Sequence, residues 1–227
     1  MSAFVSLSAI GIFCGLVWLF RQCPHVSVGT AEVKSRELDL PDMELFAVVV
    51  TAFWAMLPAY IPNNAAVLAG GGRPIDGGRT MGGRRLLGDG KTWRGTAAGW
   101  GAGALVALAL NALQPGATEF LGVDVPTFPL AIVIAFPLGA MLGDIGASFL
   151  KRRTGRERGA PFPGVDQLDF VAGALVLALV VDLAASLSWF FETFTVPVLV
   201  VVIVLTPVLH VTTNAAAYAL GLKDEPW

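Results

Sequence analysis

Five long apolar stretches constrain this chain of 227 residues more than any other feature. They run over about residues 44–61, 96–113, 128–150, 168–191 and 194–222. A helix crossing a bilayer needs roughly 17–25 apolar residues, and all five reach that length, the first two at its short end. Inside hydrocarbon every backbone polar group needs a partner from the chain itself, so such stretches become helices. Composition agrees: 14% of residues are charged, against roughly 25% in soluble domains, and mean hydropathy is +0.70. The expected fold is all-α, a polytopic integral membrane protein with five core transmembrane helices.

The charges are unevenly placed. Eleven of the fifteen Lys and Arg residues lie in two loops. The first, residues 62–95, holds Arg73, Arg79, Arg84, Arg85, Lys91 and Arg94; the second, residues 151–167, holds Lys151, Arg152, Arg153, Arg156 and Arg158. Cation-rich loops stay cytoplasmic. Residues 114–127 and the connection near Glu192 carry no Lys or Arg and fall outside. One alternation satisfies all five spans, with residue 43 outside and the C-terminus inside.

Residues 1–42 stand apart from residues 43–227. Residues 3–20 are apolar enough for an extra N-terminal helix, and residues 21–42 are a polar tether of mixed charge. The segment reads as an appended helix or as a mis-assigned translation start upstream of Met43. Cys14 and Cys23 form neither a disulfide framework nor a metal-ligand cluster, and His210 reads as a packing residue. Pro58, Pro137 and Pro207 each remove a backbone donor inside a span. Gly99, Gly101 and Gly103, with Gly139 and Gly143, permit close helix approach.

Three elements carry candidate chemistry. Asp144 is an ionisable group inside a span, which costs about 2.5–3.5 kcal/mol unless it meets a cation or a polar cavity. Ser148 and Lys151 follow on its helical face; an ion pair fixing helix packing is the structural alternative. Asp166 and Asp169, at i and i+3, share a face where the fourth span begins. Helix capping accounts for one of them, and the pair suits Mg²⁺, which takes a few carboxylates plus phosphate oxygens. The third element is Gly88-Asp89-Gly90-Lys91-Thr92-Trp93-Arg94. It is no P-loop, because Arg85 stands where the first glycine belongs. Its glycines still let backbone N–H groups approach phosphate, with Lys91 and Arg94 adding charge. Together the elements describe a metal-assisted polyphosphate site at a membrane surface. A phosphate monoester has a second pKa of about 6, so its attack needs no general base, and no nucleophilic triad is visible.

Gly143-Asp144, Ser148 to Arg152 and Asp166-Gln167-Leu168-Asp169 resemble the signature of CTP-dependent phosphatidate cytidylyltransferases. Pro58-Ala59-Tyr60, Asn63, Pro74-Ile75-Asp76, Gly90-Lys91-Thr92 and Arg94-Gly95 resemble its archaeal branch, the CDP-archaeol synthases, over residues 44–227. Pro163-Gly164-Val165 and Gln167 depart from the bacterial-type pattern, which has His-Gly-Gly and an Arg at these places. The resemblance implies transfer of CMP from CTP to an isoprenoid ether-lipid phosphate, 2,3-bis-O-geranylgeranyl-glycerol 1-phosphate, with Mg²⁺ as cofactor and no nucleic-acid partner. Asp144, Asp166 and Asp169 would then serve the metal. Gly90, Lys91, Thr92, Arg94, Lys151 and Arg152 would bind the triphosphate and the lipid phosphate, and Ser148 would contact the nucleotide or orient Asp144. Lys151 is counted with the three aspartates as catalytic. The isoprenoid tails would lie against the helices, reached sideways from the membrane. Rival readings are a CTP-dependent polyprenol kinase, an enzyme using diacyl phosphatidate, and a small ion transporter with Asp144 as its coupling group.

Overall fold

The computed structural model describes residues 40–155 and 165–219. Residues 1–39, with the proposed extra helix, and the basic residues Arg156 and Arg158 lie outside the described residues. The chain folds into α1 (Leu40–Leu68), a hairpin of β1 (Thr80–Met81) and β2 (Arg84–Arg85), α2 (Trp93–Leu121), α3 (Leu130–Arg153), α4 (Val165–Ala185), the short α5 (Trp189–Thr193) and α6 (Val196–Ala219). The fold is all-α apart from that antiparallel hairpin, in which Thr80 pairs with Arg85 and Met81 with Arg84.

Glu44–Leu68, Trp93–Leu121, Leu130–Arg153 and Gln167–Ala185 are each long and apolar enough to cross a membrane. α6 adds a shorter apolar run, Val196–Thr212. The protein is a multi-pass membrane protein. Half of the spanning window is buried in α1 and α3, against 22% in α2 and α4. α1 and α3 are therefore central, and α2 and α4 turn residues such as Leu105, Leu108, Val176 and Leu183 outward.

Two boundaries differ from expectation. α2 runs on to Leu121 through Gln114-Pro115-Gly116, which had read as loop. Side chains on this last part of the helix bind the following loop. The Asn111 amide accepts from Phe128 N (2.7 Å) and donates to Phe128 O (2.8 Å), and Gln114 donates to Val125 O (3.2 Å). Gly122, in the left-handed conformation that glycine tolerates, closes the helix by donating to Thr118 O. The stretch 168–191 is two helices rather than one. α4 stops at Ala185, Ser186 and Ser188 take positive φ, and the buried Asp182 carboxylate accepts from Phe190 N (3.1 Å). An acceptor at the N-terminal turn satisfies a donor that the short helix cannot. Trp189, Phe190 and Phe194 then pack with Phe128 and Phe136 into an aromatic cluster at this end of the bundle.

Small residues set the helix spacing near the other end. A Cβ at Gly99 would lie 2.5 Å from Pro62 O, and one at Gly103 would lie 2.6 Å from Pro58 O, so α1 and α2 meet backbone to backbone. Gly101 faces open space and takes no part. Pro58, Pro137 and Pro207 lie inside helices as expected, joined by Pro62 and Pro115. Between α3 and α4, a Cβ at Gly173 would stand 2.6 Å from Gly143 Cα, and one at Gly143 would collide with the carbonyl oxygen of Asp169. This seam fixes the position of the site.

Candidate active site

The first basic loop is a folded unit. Its neck is closed by Ile75 N donating to Lys91 O (2.9 Å), by Trp93 N donating to Arg73 O (3.3 Å) and by a bridge between Pro74 and Thr92. Asp76, 6% exposed, is its hub. One carboxylate oxygen accepts from Arg85 Nη2 (2.8 Å) and Gly78 N (3.0 Å), the other from Leu87 N (3.0 Å), Gly88 N (3.1 Å) and Arg85 Nε (3.3 Å). The bonded Arg85 guanidinium holds the Asp76 carboxyl well below the usual carboxylate range; burial opposes this, and the Gly88, Leu87 and Gly78 amides support it. Arg85 also donates to Asp89 (2.7 Å). Arg153, at the end of α3, donates to Met81 O (2.6 Å), Arg85 O (2.9 Å) and Arg84 O (3.3 Å). Its planar fork of donors suits several carbonyls at once, so Arg153 fastens the hairpin to α3.

This scaffold carries Lys91 to the bundle, where its ammonium forms a salt bridge with the Asp144 carboxylate. Both side chains retain partial exposure, 24% and 22%, so the pair stands at the edge of the packed helices. Thr92 next to it is buried and caps α2, its hydroxyl accepting from Gly95 N (3.1 Å). Thr92 thereby fixes where the helix starts and where Lys91 points. Gly90 and Arg94 are exposed around the same corner.

The α3–α4 seam supplies the second carboxylate. Gly143 lets the Asp169 backbone touch α3 one residue from Asp144. Asp144, Lys151 and Lys91 all lie within electrostatic range of Asp169. Asp169 is partly buried, and its Oδ1 accepts from Phe170 N (2.6 Å). Asp166 lies in the first turn of α4, while its side chain is outside the described residues. Ser148 donates to the backbone carbonyl of Asp144 (3.0 Å), one turn back, and so is held on the Asp144 face. The Arg152 guanidinium stands beside Gly88, 3.4 Å from where a Cβ would be.

The structure thus brings Lys91, Asp144, Lys151 and Asp169 together at the basic end of the bundle. Among the described residues no three His, Cys, Asp or Glu side chains cluster as a ready metal cage. Two carboxylates that converge beside cations do match the donor set Mg²⁺ takes when phosphate oxygens and water complete its shell. A cavity of 570 Å³ at the opposite end is lined by Thr51, Gln114, Asp124, Thr127, Trp189 and Glu192, among others, with no Lys or Arg. It offers no cation to a polyphosphate, in contrast to the basic end with Lys91 and Lys151.

Reading residue types alone missed the organising role of Asp76. Its available signal was Asp76-Gly77-Gly78, the pattern of a turn in which a carboxylate bonds the amide two residues on. Asp182 was missed as well, although an acid within a span is itself a signal.

Fold and site define a multi-pass membrane protein with a paired-carboxylate, lysine-bearing centre at one end of its helices. A family model described as CarS-like, CDP-archaeol synthase, matches residues 45–227, and the chain belongs to that family. It is 66% identical over 185 residues to the CDP-archaeol synthase of Halobacterium salinarum and 69% identical over 185 residues to that of Haloarcula marismortui. Each match covers 82% of this chain and all of the relative. The CDP-archaeol synthase of Methanococcoides burtonii is 49% identical over 179 residues, covering 76% of this chain and all of that protein. A solved structure described as an intramembrane enzyme for archaeal membrane lipids biosynthesis is 39% identical, with a TM-score of 0.58, covering 73% of this chain and 94% of its own.

Proposed function

We propose that this protein transfers the cytidylyl group of CTP to the phosphate of 2,3-bis-O-geranylgeranyl-glycerol 1-phosphate, yielding CDP-archaeol in its unsaturated form and pyrophosphate. The observation that carries this reading is the convergence of Lys91, Asp144 and Asp169 across the glycine seam, beneath a folded basic loop. Relatives named CDP-archaeol synthase at 62–69% identity support the lipid class.

An oxygen of the lipid phosphate attacks the α-phosphorus of CTP. A new P–O bond forms, the bond from that phosphorus to the bridging oxygen breaks, and pyrophosphate leaves with the electron pair. The attacking phosphate is already anionic at neutral pH, so no residue needs to remove a proton. The protein's task is positioning and charge stabilisation. Lys91 moves its ammonium from Asp144 to a phosphate oxygen as CTP enters. Arg94, Lys151 and Arg152 supply the remaining charge, while Gly88 and Gly90 leave room for phosphate against the loop backbone. Asp144 and Asp169 would hold Mg²⁺, and Asp166, in the first turn of α4, is the third carboxylate assigned to it. When bound, the ion draws charge from the α-phosphoryl group and the leaving pyrophosphate. The site faces the cytoplasm, as the cation-rich loops require, and the tails enter sideways against outward-facing apolar side chains of the helices.

The test is a product assay on purified protein with CTP, Mg²⁺ and the unsaturated ether-lipid phosphate. CDP-lipid and pyrophosphate in equal amounts are expected by mass spectrometry. Formation of CDP and a polyprenyl phosphate when polyprenol is offered instead, with no CDP-lipid, overturns the assignment. Preference for diacyl phosphatidate overturns the lipid class alone.

A further inference from the structure

Asn63 carries a buried amide oxygen, Oδ1, with no hydrogen-bond partner among the described residues. A buried acceptor left unpaired is costly, about 1–3 kcal/mol, and such exceptions demand a reason. Its position supplies one. On α1, Pro62 and Ala66 face α2, meeting Gly99 and Gly95. Tyr60 faces α4 and α6, with its ring 5.9 Å from Phe170 and its hydroxyl 2.8 Å from Thr206. At about 100° per residue, Asn63 falls between these faces, on the stripe of Met56 and Ala59, both 0% exposed. The central helix α3 packs against α1, α2 and α4, and a residue of α1 between its α2 and α4 faces is turned toward it. The depth also matches. A Cβ at Gly99 would meet both Pro62 O and Met141 Sδ, which sets Asn63 at about the level of Met141 to Asp144, and Phe170, whose ring meets Tyr60 edge to face, adjoins Asp169.

Lys91 already meets Asp144 in this layer, yet the Asn63 acceptor has no donor or cation of its own among the described residues. Amide carbonyls are ordinary oxygen ligands for hard cations. We infer that Asn63 Oδ1 is a third oxygen of the divalent-cation site, bound directly or through one ordered water. This rests on the metal reading of Asp144 and Asp169 proposed above.

Mn²⁺ titration of the full-length protein in detergent, followed by electron paramagnetic resonance with and without CTP, tests it without turnover. Asn63→Leu should weaken Mn²⁺ binding about tenfold or more, as loss of a supporting ligand does. Asn63→Asp, which keeps the acceptor, should restore binding to wild-type strength or better. Thermal melting without metal should be unchanged or raised for Asn63→Leu, which removes the unpaired group, and lowered for Asn63→Asp, which adds a third carboxylate to the layer. Asn63→Leu binding Mn²⁺ like wild type, while Asp144→Asn and Asp169→Asn do not, overturns the role of Asn63 and leaves the site standing. Wild-type protein that binds no Mn²⁺ with or without CTP overturns both. If Asn63→Leu melts early, the Asn63→Asp titration decides: binding weaker than wild type refutes the inference.

Discussion

The ammonium of Lys91 is bound to the carboxylate of Asp144, 53 residues further along the chain. Lys91 ends a loop organised around Asp76, and Asp144 sits in the central helix α3, so the pair joins the basic loop to the bundle. A carboxylate within a span meets a cation this way instead of standing alone. Because both partners keep partial exposure, incoming phosphate can compete for the lysine.

Replacing Lys91 with Ala removes that ammonium from both partners. A charge-assisted hydrogen bond is worth about 1.5–3 kcal/mol, so CTP use, as kcat/KM, should fall roughly 10- to 100-fold. Steady-state kinetics of CDP-lipid formation at varied CTP would show it. Unchanged kinetics would return the loop to a purely topological role.

Asp169→Asn should abolish measurable turnover, a loss of about 10²–10³ or more on the scale of removing one electrostatic stabiliser. The protein should remain folded, since the amide keeps an oxygen that can accept from Phe170 N. Size-exclusion profile and melting temperature together with the product assay check this. Near-normal activity would refute the metal role.

Gly143→Ala places a methyl group on the Asp169 carbonyl. Overpacking of this kind costs about 1–3 kcal/mol and should separate α3 from α4, with activity falling further than the melting temperature. Gly101→Ala meets nothing within 4 Å and should behave as wild type in both measurements. Equal behaviour of the two variants would show that the seam does not set the carboxylate geometry.

The Asp76 carboxyl is held below its ordinary value of about 3.9 by Arg85 and three amides. A folded-state value below the unfolded one gives stability that is present above the unfolded pKa and is lost as pH falls through the folded one. Between pH 5 and 8, roughly, this group should confer no pH dependence on the loop. Asp76→Ala should instead speed hydrogen exchange at the Leu87 and Gly88 amides at every pH in that range. Retained protection at those amides would remove Asp76 from its place as hub.

Much of the candidate site was legible from residue types and hydropathy. Asp144 stood out because an acid in an apolar run needs a partner, and Lys91 because it ends a Gly-rich basic loop. Which cation met Asp144 was not legible. Lys151 shares its helix face, yet the observed salt bridge comes from Lys91 across a long loop. Thr92, expected as a phosphate ligand, also caps α2, its hydroxyl oxygen accepting from Gly95 N. Arg153, counted in the sequence only as one cation of the second basic loop, fastens the hairpin through three carbonyls.

By itself the sequence determined that this chain crosses a membrane as helices, with its cations gathered at one end. The bilayer forces backbone self-satisfaction and charge asymmetry onto any such pattern, and both are local or compositional properties. Tertiary structure decided which carboxylates meet. Gly143 and Gly173 let α3 and α4 touch backbone to backbone, and that contact depends on the rotation and register of two helices, which no single helix's periodicity encodes. It also decided that Asp76, one carboxylate between two glycine turns, holds the loop that delivers Lys91.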